Sequence, residues 1–355
     1  MNLSKVFVKI CLLSILVLSP CLVWATILTP VPDDQRCKNW GDVPMDGPRA
    51  YDDFIAQVTM NFRRNDKTLA LLERDTNEWN TPSCVFEGGE PVIISLTKGL
   101  DTFFTKRVDW TDGLARVQLV KAKFPDTPFV ALAEAIYWKH FAWHARGSGM
   151  ASSVTPEGWK LFRERLEMAE KVLIDSKPYA SELPNWYAEM ITVQSALDRP
   201  GIDKVNTFLE GTKKHKTYLP IYTTMLKFQL PKWGGNWEGV DNMVKWSVEN
   251  TQATEGNAMY SRLYWAVFVH LLNEEKLFRD TRASWPKMKL GFEDMMTNYP
   301  KSKWNLNNFA MFACLAEDKE TFLTLRNKIG ADIMLEAWQK DISLELCEIK
   351  YGYAQ

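Results

Sequence analysis

Apolar residues recur at three- and four-residue spacings along most of the chain, which is the period of an amphipathic helix. From Tyr51 to Glu73 the recurring positions are Phe54, Ile55, Val58 and Phe62, so the pattern predicts one helix there. Asn80 to Pro91, with two prolines and the Gly88-Gly89 pair, reads as a loop. Val92 to Lys106 and Thr111 to Lys123 read as two further helices. Thr127-Pro128 and Thr155-Pro156-Glu157 are helix start signals, with Thr as N-cap and Pro at the first helical position. The first of these helices, Phe129 to Arg146, stops at Gly147; the second carries Phe162, Leu166, Ala169 and Leu173 on one stripe, with Arg163, Glu164, Glu167 and Lys171 elsewhere.

Helices are then predicted over 184–197, 202–215, 218–229, 236–248, 257–272, 285–298, 304–316 and 318–329. Strand signals are nearly absent: Val92-Ile93-Ile94 is the one run rich in β-branched residues, and it is short. Short loops between such helices make antiparallel hairpins. Their second helices begin near 156, 202, 236, 285 and 318, a spacing of about 33–49 residues that overlaps tetratricopeptide-type periods. Such hairpins bury their apolar stripes by stacking on neighbours. The expected fold is therefore all-α: stacked antiparallel helical hairpins forming a tetratricopeptide-like α-solenoid, behind an irregular N-terminal segment. The tetratricopeptide consensus itself is matched loosely, by Trp159 followed by Ala169.

The front of the chain carries an address. Lys5 and Lys9 form a basic region, an apolar run follows from Ile10, and Val23-Trp24-Ala25 offers small residues for cleavage before Thr26. Residues 1–25 are thus expected to be a signal peptide, 26–50 a proline-rich extended lead-in, 51–109 an N-terminal helical region and 110–355 the helical-repeat domain. Two rivals exist. Leu18-Ser19-Pro20-Cys21 resembles a lipobox that would lipidate Cys21, although Pro20 stands where that motif wants a small residue. An uncleaved anchor is the other, since no charge occurs from Ile10 to Val31; Pro20 weakens it. Later apolar runs are too short to span a bilayer, so no integral segment is expected after cleavage, and the setting is periplasmic or secreted.

Composition adds limits. The 355 residues carry 43 Lys and Arg against 44 Asp and Glu, a net charge of -1. That balance argues against a nucleic-acid partner. Six cysteines become four once Cys11 and Cys21 leave with the signal. An oxidising compartment favours pairing them. Of three possible arrangements, Cys314–Cys347, tying the last helices together, and Cys37–Cys84, pinning the irregular segment, are favoured; buried free thiols are the alternative. Of the 15 tryptophans, the twelve from Trp110 onward arrive at about one or two per hairpin and read chiefly as wedges between helices.

No catalytic set emerges. His140 and His144 stand one turn apart, but Phe141 occupies the place where a zincin needs Glu, and no third ligand is evident. Nucleophile-elbow and phosphate-loop motifs are missing, so no metal and no cofactor are expected. The short basic run Lys213-Lys214-His215-Lys216 suits a helix C-terminus. Two loops stand out: Ala142 to Gly149, and Lys232-Trp233-Gly234-Gly235-Asn236-Trp237. Each reads structurally as a helix stop and turn, with Asn236 capping the next helix. Each also sets an aromatic beside a cation, as recognition patches do. The candidate binding residues are Trp143, Arg146, Trp159, Trp233 and Trp237.

Three segments together carry a resemblance. They are Trp143-x-x-Arg146-Gly147 leading to Trp159-x-x-Phe162, then Leu230-Pro231-x-Trp233-Gly234-Gly235-x-Trp237, then Trp304-Asn305-x-Asn307-x-Phe309-Ala310 with Ala313-Cys314. This resembles an uncharacterised family of Gram-negative bacterial proteins built on a domain of unknown function with tetratricopeptide-like helical repeats, over roughly residues 70–350. The resemblance implies an all-helical fold and an envelope setting; it brings no activity and no catalytic residue. The expected function is an exported module that binds another protein or a peptide without catalysis, one version being an inhibitor or immunity-type partner of an envelope-acting protein. An envelope hydrolase with an unrecognised active site, or a purely structural scaffold, is the alternative.

Overall fold

A computed structural model describes residues 45–81, 83–105, 109–271, 276–339 and 342–353. The predicted signal peptide, most of the lead-in, and Cys37 lie outside the described residues. Within them the chain is all-helical: sixteen α-helices, three short 3-10 turns and no strand. The helices are α1 Gly47–Arg63, α2 Asp66–Trp79, α3 Ile94–Thr105, α4 Trp110–Lys123, α5 Pro128–Arg146, α6 Pro156–Ala180, α7 Pro184–Ala196 and α8 Gly201–Lys214. They continue as α9 Leu219–Lys227, α10 Trp237–Glu255, α11 Ala258–His270, α12 Leu277–Asp280, α13 Trp285–Asn298, α14 Lys303–Leu315, α15 Lys319–Ile329 and α16 Leu344–Tyr351.

Local chemistry sets most of the starts. The Thr155 hydroxyl accepts the Gly158 N–H at 3.0 Å and Pro156 opens α6. The Asn236 side chain accepts the Gly239 N–H at 2.8 Å, and Asp318 accepts the Thr321 N–H at 3.0 Å. Thr127 precedes Pro128 as expected, but its hydroxyl donates back to the Phe124 carbonyl at 2.8 Å rather than capping α5. Two expectations change. The chain is helical from Gly47, so the lead-in ends earlier than 50. The single helix expected over 51–73 is two, because Asn65 halts α1 and its side chain accepts the N–H groups of Lys67 and Thr68 to start α2. The helix expected over 92–106 is present as α3, beginning at Ile94.

The chain divides into two compact units. The first holds 51–84 and 90–225; the second holds 85–89 and 226–353 together with the described residues before Tyr51. In the first unit α4 packs on α5, α5 on α6, α6 on α7 and α7 on α8, and α3 and α7 also pack on α5. Phe62, Phe103, Phe104 and Tyr137 form an edge-to-face chain through its core, with neighbouring centroids 4.9–5.9 Å apart. In the second unit α10 packs on α11, α11 on α13, α13 on α14 and α14 on α15. There Phe292 and Phe309 stack at 5.0 Å, beside Phe312. A disulfide joins Cys314 of α14 to Cys347 of α16, with Cα atoms 6.1 Å apart. No helix among the described residues is long and apolar enough to cross a membrane.

Tryptophan burial is mixed. Trp79, Trp186 and Trp338 are core residues, as wedges should be, whereas Trp143, Trp159 and Trp233 are 41%, 39% and 52% exposed.

Candidate binding site at the tip of the α5–α6 hairpin

The last turn of α5 and the first turn of α6 bring three of the five candidate residues together. The Arg146 guanidinium lies 5.5 Å from the ring centre of Trp143 and 5.5 Å from that of Trp159. Two indole faces around one cation are an attractive arrangement, about 0.5–1 kcal/mol per contact where exposed. Arg146 is also fixed by donating to the carbonyls of Gly147 and Gly149, at 3.0 and 2.7 Å. Gly147, at φ +74°, makes the turn that returns these carbonyls to the side chain. Buried Phe162 meets both indoles edge-on, at 5.0 and 5.7 Å, and so holds the clamp from beneath. No carboxylate among the described residues pairs with Arg146. The result is a rigid, half-exposed platform of two aromatics with an unneutralised cation between them.

A cavity of about 330 Å³ adjoins this platform between the start of α6 and the end of α7. Trp159, Lys160, Phe162, Arg163, Ala196, Leu197 and Asp198 line it. Sequence reasoning placed Arg163 on the solvated stripe of α6 and did not single out Asp198. The available signal was spacing: Trp159 and Arg163 are four apart and share a helix face.

Trp233 and Trp237 belong to the second unit. The Lys227 ammonium sits 5.6 Å from the Trp233 ring centre, and Phe228 meets that ring edge-on at 6.4 Å. The glycines beside them make a turn: Gly234 is left-handed at φ +84°, and a Cβ on Gly235 would lie 1.9 Å from the Gln229 carbonyl oxygen. Gly235 is therefore required by a close backbone approach. The third segment of the family resemblance is likewise structural. Buried Asn307 accepts the Met334 N–H and the Trp338 indole N–H, at 3.1 and 3.2 Å, and Asn305 donates to the Gly88 carbonyl at 3.1 Å.

The histidine pair does not converge. His140 Nε2 lies 2.7 Å from Asp101 Oδ1, while His144 packs its ring 5.2 Å from that of Trp110. His140 borders an ionic cluster missed from the sequence. Lys139, buried on α5, donates to Glu189 of α7 at 2.7 Å and to Asp101 of α3 at 3.1 Å. Burial alone would lower the Lys139 pKa; the charges of Glu189 and Asp101 outweigh it and hold the ammonium above its ordinary value. Burial likewise pushes Asp101 up, but the Lys139 charge and the His140 hydrogen bond hold it well below the usual carboxylate range. A lysine held protonated in this way is no nucleophile. The cluster bolts α3, α5 and α7 together. Among the described residues no group of three or more His, Cys, Asp or Glu is arranged to hold a metal ion.

Comparison with family models, with curated proteins and with solved structures finds no match for this chain.

Proposed function

We propose that this protein is an exported helical-repeat module that binds a protein or peptide, with Trp143, Arg146 and Trp159 as its recognition platform. The observation that carries this reading is the unpaired Arg146 cation clamped between two half-exposed indoles. Exposed Trp and Arg are the usual energetic anchors of interfaces, and a pre-ordered platform loses little side-chain entropy on binding. The hairpins are taken as tetratricopeptide-like repeats. Support comes from helices that pack on their sequence neighbours and also two helices onward, as α3 and α7 do on α5 and α13 does on α11. The disulfide in the second unit favours an oxidising setting such as the periplasm. An inhibitor or immunity-type role is the narrower version of the same reading, in keeping with the resemblance to envelope proteins.

The test is selection of peptides displayed as internal segments, with both ends fused, on the purified protein. Enriched sequences are expected to bind at least tenfold more weakly to Arg146→Gln and to Trp143→Ala/Trp159→Ala, with the Arg146→Gln melting curve unchanged. Equal binding by wild type and variants would sink the proposal.

A further inference from the structure

We propose that the cavity between α6 and α7 binds an α-carboxylate next to an apolar side chain: the C-terminal residue of a peptide, or a free amino acid. The inference deepens the recognition reading above and rests on it. The cavity lies against Trp159, which belongs both to the platform and to the lining. Its floor is apolar, made by buried Phe162 and Leu197 with Ala196. Its volume, about 330 Å³, falls at the small end of ligand sites, which run from about 300 to 1,000 Å³. That is room for one side chain and its terminal group.

The charges define the ligand further. Arg163 and Asp198 both line the cavity, yet they do not pair with each other, and neither has an ionic partner among the described residues. Lys160 reaches Glu164 only at 4.0 Å. Arg199, beside Asp198, is committed elsewhere: it grips Glu170 through three hydrogen bonds of 2.6–3.2 Å. Asp198 is held in the left-handed conformation, φ 54°, by backbone bonds from its own N–H to Ser195 and from Arg199 to Gln194. Its carboxylate thus stands on a fixed turn. A ligand that satisfies both free charges presents an anion to Arg163 and an N–H donor to Asp198. An α-carboxylate with its adjacent nitrogen does this. The planar guanidinium is suited to bidentate carboxylate recognition. The nitrogen is an amide in a peptide and an ammonium in an amino acid, and either donates to Asp198.

Calorimetric titration of the purified protein tests this with four probes: N-acetyl-leucine, N-acetyl-leucinamide, free leucine, and an acetylated tetrapeptide ending in leucine. The acids are expected to bind, and the amide at least tenfold more weakly than its acid. Arg163→Gln should remove that difference, with an unchanged melting curve because Arg163 is exposed. Asp198→Asn, which tolerates the left-handed turn, should weaken free leucine more than N-acetyl-leucine. Tighter binding of the tetrapeptide assigns the site to peptide ends; tighter binding of free leucine assigns it to amino acids. Equal binding of acid and amide, or no binding by any probe at about 10 mM, a free energy under 3 kcal/mol, overturns the proposal. Peptides selected with both ends fused carry no free carboxylate, so their binding to the Trp143–Arg146–Trp159 platform stands or falls separately.

Discussion

The Arg262 guanidinium donates a 2.7 Å hydrogen bond to the carbonyl of Gly88, 174 positions earlier in the chain. Both residues belong to the second unit, and Arg262 is buried there, its Nε 4.0 Å from the Glu255 carboxylate and its guanidinium over the Tyr299 ring. Tyr299 in turn donates to Glu255 at 3.2 Å. Gly89 lies so close to Tyr299 that a Cβ would sit 2.3 Å from the ring. One arginine therefore seats a loop and neutralises a buried acid. Arg262→Met is expected to lower the unfolding free energy by about 3 kcal/mol, because it removes a buried guanidinium together with its bond to Gly88 and its contact with Glu255. Urea titration checks this. A loss under 1 kcal/mol would mean that the Asn305 bond to Gly88 seats the loop by itself.

Lys139→Met should be at least as damaging, by about 3–5 kcal/mol at neutral pH, since two carboxylates lose their shared cation. The sign of the pH effect follows from the pKa directions. Asp101 is held below its ordinary value, so in the wild type its contribution is present above the unfolded pKa and is lost as pH falls. In the variant Asp101 has lost the Lys139 charge that holds it low, so less of that contribution is present to be lost. The stability gap between the two proteins should narrow from pH 7 to pH 4 in parallel urea titrations; a constant gap would show that the loss is one of packing.

The Trp-Gly-Gly segment should separate into a structural and a dispensable part. Gly235→Ala forces a Cβ into the Gln229 carbonyl and is expected to lower the melting temperature by several degrees. Trp233→Ala removes a ring that is 52% exposed and should shift it little. Thermal denaturation of both variants decides the matter, and a reversed order would place the packing role on the indole.

The Cys314–Cys347 bond closes a loop with a sequence separation of 33. Cys314→Ser/Cys347→Ser should destabilise the chain by about 3–4 kcal/mol through the greater freedom of the unfolded state. Reduction of the wild type should reproduce the effect in chemical denaturation; an unchanged midpoint would show that the bond does not restrict the denatured chain.

The helix starts were legible in sequence because their causes are local. Thr155-Pro156, Asn236 and Asp318 act within one turn, and the helices begin at 156, 237 and 319, close to the expected 156, 236 and 318. The Cys314–Cys347 link was legible for a different reason, the even number of cysteines expected after the signal and the helical ends the bond would join. What escaped depends on distance in sequence. Lys139 sits in an aromatic helix, and nothing nearby in the chain announces Asp101 and Glu189, 38 and 50 positions away. The Trp143–Arg146–Trp159 platform could be read because its parts share one hairpin turn. The adjoining cavity could not, because Asp198 reaches it from the end of the following helix.

The second unit is assembled from separate stretches of the sequence, with 85–89 supplied from within the first half of the chain. A ribosome delivers those five residues long before it makes Arg262 and Asn305, which bind them. Until synthesis is nearly complete, the Gly88 carbonyl waits for its partners. The C-terminal half expressed by itself lacks the 85–89 stretch that belongs to its own unit, so splitting the gene at residue 225 is expected to yield a C-terminal fragment that depends on the N-terminal one to fold.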